Sequence, residues 1–162
     1  MRGKMKNKII LSLCVILLAV TGCKTWPFNP KADVKLLGFT DTSNVAISDA
    51  DITGTPPFTI KASIGINNGI DMTFNNCVVE FFNPDGTQIA VTMINKMTYT
   101  IAGTGTTAVT AAGYVPLNIT NADIVTYHNT TNITPITVSI RLSGIDANEN
   151  AIEVKGSIPA NF

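Results

Sequence analysis

Glutamate occurs three times in this chain of 162 residues, and beyond position 22 leucine occurs only four times. Both are strong helix formers, so their scarcity argues against a helical body. No apolar run is long enough to span a bilayer. The longest, Ile9 to Val20, has twelve residues, whereas a spanning helix needs about 20. With three cysteines and a single histidine, the chain holds little nucleophilic chemistry. Charged residues make up 14% of it, 11 basic against 11 acidic.

That balance is uneven along the chain. Arg2, Lys4, Lys6 and Lys8 precede the apolar run and no acidic residue does, so the remainder carries 7 basic and 11 acidic groups, a net −4. A mildly acidic domain offers no basic patch to phosphates, which argues against a nucleic-acid partner. A basic start, an apolar stretch of signal-peptide length and the small residues Thr21 and Gly22 compose a targeting segment.

Val20-Thr21-Gly22-Cys23 resembles the lipobox of bacterial lipoprotein precursors. The resemblance implies cleavage between Gly22 and Cys23 by the prolipoprotein signal peptidase, a diacylglycerol on the Cys23 sulfur and acylation of the new amino terminus. One myristoyl chain gives only marginal membrane binding, at about 0.8 kcal/mol per buried methylene, so two or three longer chains make a lasting anchor. The implied residence is a bacterial cell envelope. Lys24 follows the anchor where aspartate would resemble an inner-membrane retention signal, so the outer membrane is expected if the host has one.

The expected organisation is a signal peptide over residues 1–22, a lipidated cysteine with a short tether over 23–32, and one domain over 33–162. Pro27 and Pro30 bar a helix from the tether, and Trp26 and Phe28 carry rings suited to a membrane interface. Its nine residues after Cys23 reach at most about 30 Å. The 140 residues left after cleavage suffice to bury about two thirds of the unfolded surface without a staple. With Cys14 removed and Cys23 lipidated, Cys77 has no partner for an intramolecular disulfide.

Beyond position 22 threonine occurs 21 times and asparagine 15 times, a composition of strands and turns. Period-two alternation recurs from Asp33 onward. Ile60, Ala62, Ile64 and Ile66 share one face of a strand, and Asn68-Gly69 after it suits a turn at positive φ. Cys77, Val79 and Phe81 point inward on the next strand, which Asn83-Pro84-Asp85-Gly86 ends in a turn. Ile89, Val91 and Met93, then Met97, Tyr99 and Ile101, mark two further short strands. Gly103 to Thr107 reads as a turn, Ala108 to Ala112 and Val115 to Thr120 as strands. Asn121-Ala122-Asp123 offers a helix cap, but Ile124 to Tyr127 prefer strand, so residues 121–131 are expected to form a loop with a short element.

The last hairpin is the clearest: Ile136, Val138, Ile140 and Leu142 inward, a turn over Asp146 to Asn150, then Ile152, Val154 and Ile158 returning. With Val34 to Phe39 and Val45 to Ile47 the total is eight or nine short strands, as in an all-β, Ig-like antiparallel β-sandwich. Ile64-Gly-Ile-Asn-Asn-Gly and Phe74-Asn-Asn-Cys-Val-Val-Glu-Phe-Phe-Asn-Pro-Asp-Gly-Thr-Gln-Ile resemble the Ig-like late-embryogenesis type 2 (water-stress) and bacterial FxLYD domains. That resemblance implies a fold and brings no catalytic residues.

The sequence offers six candidate sites. A thiolate nucleophile needs a base, and Cys77 with His128 is the one pair on offer, but an inward cysteine is a packing residue. Asp146, Asn148 and Asn150 imitate the opening of a calcium loop, yet Ala151 and Ser157 stand where that loop needs glycine and glutamate, so a hairpin turn is expected. Asp49 and Asp51 read as solvated carboxylates, and the three glutamates fall on outward faces or turns, unsuited to the buried acid of a glycosidase. Asn118, Asn129 and Asn132 begin glycosylation-like triplets, which the lipobox makes incidental. Tyr99, Tyr114 and Tyr127 would form a sugar-stacking platform if they lay together. The expectation is a non-enzymatic envelope protein with no cofactor and no metal, binding a protein partner or contributing to envelope structure. The alternative is a carbohydrate or cell-wall binding module, and a thiol enzyme comes third.

Overall fold

A computed structural model describes residues 29–52, 58–103, 111–119 and 122–162. Residues 1–28, with the signal segment, Gly22, Cys23, Trp26 and Phe28, lie outside the described residues, as do all but Gly103 of the turn expected over Gly103 to Thr107, most of the strand expected over 108–112, and the expected cap residue Asn121. The compact unit Lys31–Phe162 contains eight strands and one helix among its described residues. They run β1 (Val34–Thr40), β2 (Ala50–Asp51), β3 (Phe58–Ile66), β4 (Met72–Phe82), β5 (Gln88–Ile101), β6 (Ala111–Ile119), α1 (Ala122–Thr131), β7 (Ile136–Asp146) and β8 (Ala151–Asn161).

The strands form two sheets, β1-β3-β6 and β2-β8-β7-β4-β5, antiparallel throughout except where β2 runs parallel to the end of β8. The unit is an all-β sandwich. Its core is the apolar half of each alternation: Ile60, Ala62, Ile64 and Ile66 from β3, Cys77, Val79 and Phe81 from β4, and Ile136, Val138, Ile140 and Leu142 from β7 are all buried. Ile152, Val154 and Ile158 complete the last hairpin, whose register pairs Val138 with Ile158 and Leu142 with Val154. On the outer faces the abundant threonines act in cross-strand pairs, Thr73 with Thr100 at 3.0 Å and Thr59 with Asn118 at 2.9 Å.

Gly156 faces inward on β8, where any Cβ would collide with the side chain of Leu36 on β1. A larger residue there would need the end of the Leu36 side chain to move and the Phe39 ring to give slightly.

Several expectations need correction. The segments 88–94 and 97–102 are one continuous strand, β5. Both stretches put odd-numbered residues inward, so the phase never breaks, and Asn95 occupies the inward position between them. The Val91 side chain is outside what is described. Val45 to Ile47 makes only an isolated bridge, Thr40 with Ala46. Asn68-Gly69 does not form a tight hairpin. Gly69 has φ of 70° while Asn68 is not at positive φ, because residues 67–71 cross from one sheet to the other and the Asn68 side chain serves the chain entry described below.

The largest departure is α1, a ten-residue helix in place of the expected loop. Thr126, Thr130 and Thr131 donate their hydroxyls to the carbonyls of Ala122, Thr126 and Tyr127, four residues back. That geometry lets β-branched hydroxyl residues sit within a helix. Ile124 is fully buried, Tyr127 donates its hydroxyl to Asn83 Oδ1 at 3.1 Å, and Asn132 ends the helix at φ of 58°. Tertiary contact overrides propensity here. No helix among the described residues is long and apolar enough to cross a membrane.

Candidate functional site

Cys77 sits mid-β4, paired with Asn95 on β5 and Leu142 on β7. It is 1% exposed, and burial pushes its thiol up to about 11. A thiol so raised is protonated at neutral pH and a poor nucleophile. It lines a cavity of about 200 Å³ between the edge strands β5 and β6, with Asn95, Lys96, Met97, Pro116, Leu117 and Asn118. Across that opening Asn95 Nδ2 donates to the Asn118 carbonyl at 3.4 Å.

His128 lies elsewhere, on α1. Its ring stacks on Phe162 with centroids 4.2 Å apart and planes 2° from parallel, and Nδ1 lies 3.3 Å from the Ile133 carbonyl. Among the described residues no hydrogen bond joins Cys77 to His128. The structure does not assemble the nucleophile–base pair that their chemistry would require.

Asp146 forms the β7–β8 turn as the hairpin reading expected. Its carboxylate is 3% exposed and is occupied by protein donors. Oδ1 accepts from the amides of Asn148 and Asn150 at 2.9 and 2.8 Å, and Oδ2 from Asn150 Nδ2 at 3.0 Å and from the Ala32 amide at 2.9 Å. Burial works to raise its pKa, but the donors of Ala32, Asn150 and Asn148 outweigh it and hold the carboxyl below its usual range. No group of three or more His, Cys, Asp or Glu side chains among the described residues is placed to hold a metal ion.

The bond from Ala32 is part of an entry clamp that the sequence did not announce. Lys31 and Ala32 read as the end of the tether, yet Asn68 Nδ2 donates to the Lys31 carbonyl at 2.7 Å and Asn68 Oδ1 accepts from the Asp33 amide at 3.0 Å. Asn67 adds Nδ2 to Asp33 Oδ2 at 2.7 Å and its own amide to the Asp33 carbonyl at 3.0 Å. Ala32 itself is buried. The compact unit starts at Lys31.

The remaining candidates are dispersed. Glu80 pairs with Arg141 at 3.8 Å and Glu153 with Lys155 at 3.1 Å, both on the outer face of the five-stranded sheet, and Glu149 occupies the β7–β8 turn at φ of 63°. Asp49 and Asp51 are exposed, and Asp49 accepts from the Ser48 hydroxyl at 3.3 Å. Tyr99 on β5 and Tyr127 on α1 pack against the core, whereas Tyr114 lies on β6 with Lys61 Nζ 6.0 Å from its ring centre. Three different elements carry the three tyrosines, two of them turned to the core, which is not the arrangement of a stacking platform. The chain matches no protein-family model, and no curated protein matches it in sequence.

Proposed function

We propose that this is a lipid-anchored protein of a bacterial cell envelope whose β-sandwich is a non-enzymatic, Ig-like module that binds a partner protein or contributes to envelope structure. The anchor reading rests on Val20-Thr21-Gly22-Cys23 behind a basic and apolar leader. The single observation that carries the non-enzymatic reading is the burial of Cys77, with its thiol raised to about 11. His128 and Asp146, the other groups with catalytic potential, are engaged in a ring stack and a turn.

On this reading the protein takes no cofactor, does not contact nucleic acid and meets the membrane through lipid on Cys23, in the outer membrane where the host has one. Metabolic labelling with a palmitate analogue tests the anchor. The protein takes the label, and Cys23→Ser abolishes it and accumulates a precursor that retains residues 1–22. Normal processing of that variant identifies an ordinary secretory signal.

A further inference from the structure

The two sheets present four edges among the described residues, and three of them are irregular. β1 breaks register with β3 between Leu36 and Gly38, β6 pairs with β3 across a shift between Ile64 and Gly65 and carries Pro116, and β5 shifts twice against β4. Such irregularities turn an edge away from further pairing. The β8 edge differs. Its strand runs beside β7 for ten consecutive pairs without a shift, and on its other side β2 covers only Ala160 and Asn161.

Two observations tell which backbone groups face that open side. The Asp146 amide donates to the Asn150 carbonyl at 3.0 Å, so the even-numbered residues of β8 turn their amides and carbonyls toward β7 in the alternating antiparallel pattern. Pro159, which has no N–H to give, belongs to the odd-numbered set. The amides and carbonyls of Glu153, Lys155 and Ser157 therefore point outward, and among the described residues no backbone hydrogen bond engages them. A groove of about 340 Å³ along Lys155 to Pro159, walled by Leu36, Leu37 and Phe39 of β1, lies open beside them.

This edge is complementary to itself. A second β8 set antiparallel about a two-fold axis at Val154 brings the outward backbone groups of the odd-numbered residues face to face, two hydrogen bonds to each facing pair. Glu153 then lies opposite Lys155 of the second copy, and Lys155 opposite its Glu153. Moving the axis to Glu153 or to Lys155 sets like charges directly against each other, which is destabilising. Within one chain Lys155 lies opposite Arg141, and its only acidic partner is Glu153 of the same strand at 3.1 Å. Arg141 has Glu80 at 3.8 Å on its far side. Glu153 of the second copy completes that row, two cations held between two carboxylates.

We infer that two copies of this chain join edge to edge through residues 151–157 of β8, antiparallel about Val154, and merge their five-stranded sheets into one. The partner is a second copy because the edge matches its own charge pattern in one register and repels itself in the neighbouring ones. The pairing rests on the sheet edge and not on lipid at Cys23.

The test uses the full processed protein, extracted from its host in detergent, with mass measured by sedimentation in density-matched solvent and thermal melting followed on the same samples. Glu153 and Lys155 are exposed, so Glu153→Lys and Lys155→Glu should each melt cooperatively. The expected result is a dimer for the native chain and a dissociation constant raised at least about tenfold by either substitution. Mixing the two variants restores the dimer, because every facing pair across the axis then joins opposite charges. A native chain that stays monomeric at every concentration overturns the inference. So does a dimer that neither substitution weakens, which places the contact on another surface, or a mixture that associates no better than either variant alone.

Discussion

Asp146 Oδ2 accepts a hydrogen bond from the backbone amide of Ala32, a residue 114 positions earlier in the chain. One buried carboxylate thus closes the β7–β8 turn and pins the point where the chain enters the sandwich. Hydrogen bonds to a charged group contribute about 1.5–3 kcal/mol each and are not additive. Asp146→Ala strands four donors and should lower stability by at least about 2 kcal/mol, while Asp146→Asn, which keeps one acceptor oxygen, should cost less. Denaturant titration of residues 24–162 with each substitution measures the difference.

The same carboxylate gives a pH dependence of known sign. Its pKa is lowered in the folded state from an unfolded value of about 3.9. Its contribution is therefore complete above that value and is lost as pH falls through the lower, folded one. The stability gap between the native protein and Asp146→Asn should be widest near neutrality and narrow below about pH 4. A gap that grows on acidification contradicts this.

Cys77→Ala and Cys77→Ser should both leave any binding activity of the domain intact and lose stability, the alanine by about 1 kcal/mol. The serine should lose more, because it buries a hydroxyl where the thiol makes no hydrogen bond among the described residues. In the native protein a thiol reagent should react at neutral pH only after denaturation. Loss of binding at unchanged melting temperature would restore a functional role to the thiol.

Alternation on β7 makes a sharper test of the architecture. Val138 is wholly buried and Ile140 is 1% exposed, whereas Thr137 lies on the outer face. Val138→Asp or Ile140→Asp places a charge in the core at a cost of several kcal/mol, against a total stability of about 5–15, and should unfold the domain. Thr137→Asp should leave the melting temperature within a few degrees. Equal shifts at inward and outward positions would show the phase to be wrong.

These cores were legible because a strand facing an apolar interior writes its burial as period two, as β7 and β8 do throughout and β4 does on either side of the register shift between Phe74 and Asn76, where the inward set changes from Met72 and Phe74 to Cys77, Val79 and Phe81. The single strand β5 was hidden by Asn95, a polar residue in an inward slot that bridges to the Asn118 carbonyl instead of entering the core. The entry clamp was invisible for a different reason. Asn67, Asn68, Asp33 and Asp146 are ordinary turn residues by composition, and only the folded chain sets them side by side. α1 was hidden because Ile124, Val125 and Thr126 favour strand locally, and what holds the helix is burial of Ile124 and the contacts of Tyr127 and His128 with distant residues.

That account of α1 predicts its fragility. Ile124→Ala removes the one fully buried side chain of a helix with weak intrinsic propensity, a change that costs about 2–5 kcal/mol in a core. Amide exchange in residues 122–131 should accelerate far more than in β7. Uniform acceleration across both elements would mean that α1 is an integral part of the cooperative core.

The central claim is the lipid on Cys23, and intact-mass and N-terminal peptide analysis of the protein taken from the membranes of its own host tests it most directly. The account predicts a mature chain beginning at Cys23, with a diacylglycerol thioether on its sulfur and an acyl group on its amino nitrogen. A chain that begins elsewhere, or begins at Cys23 with a free thiol, would contradict it.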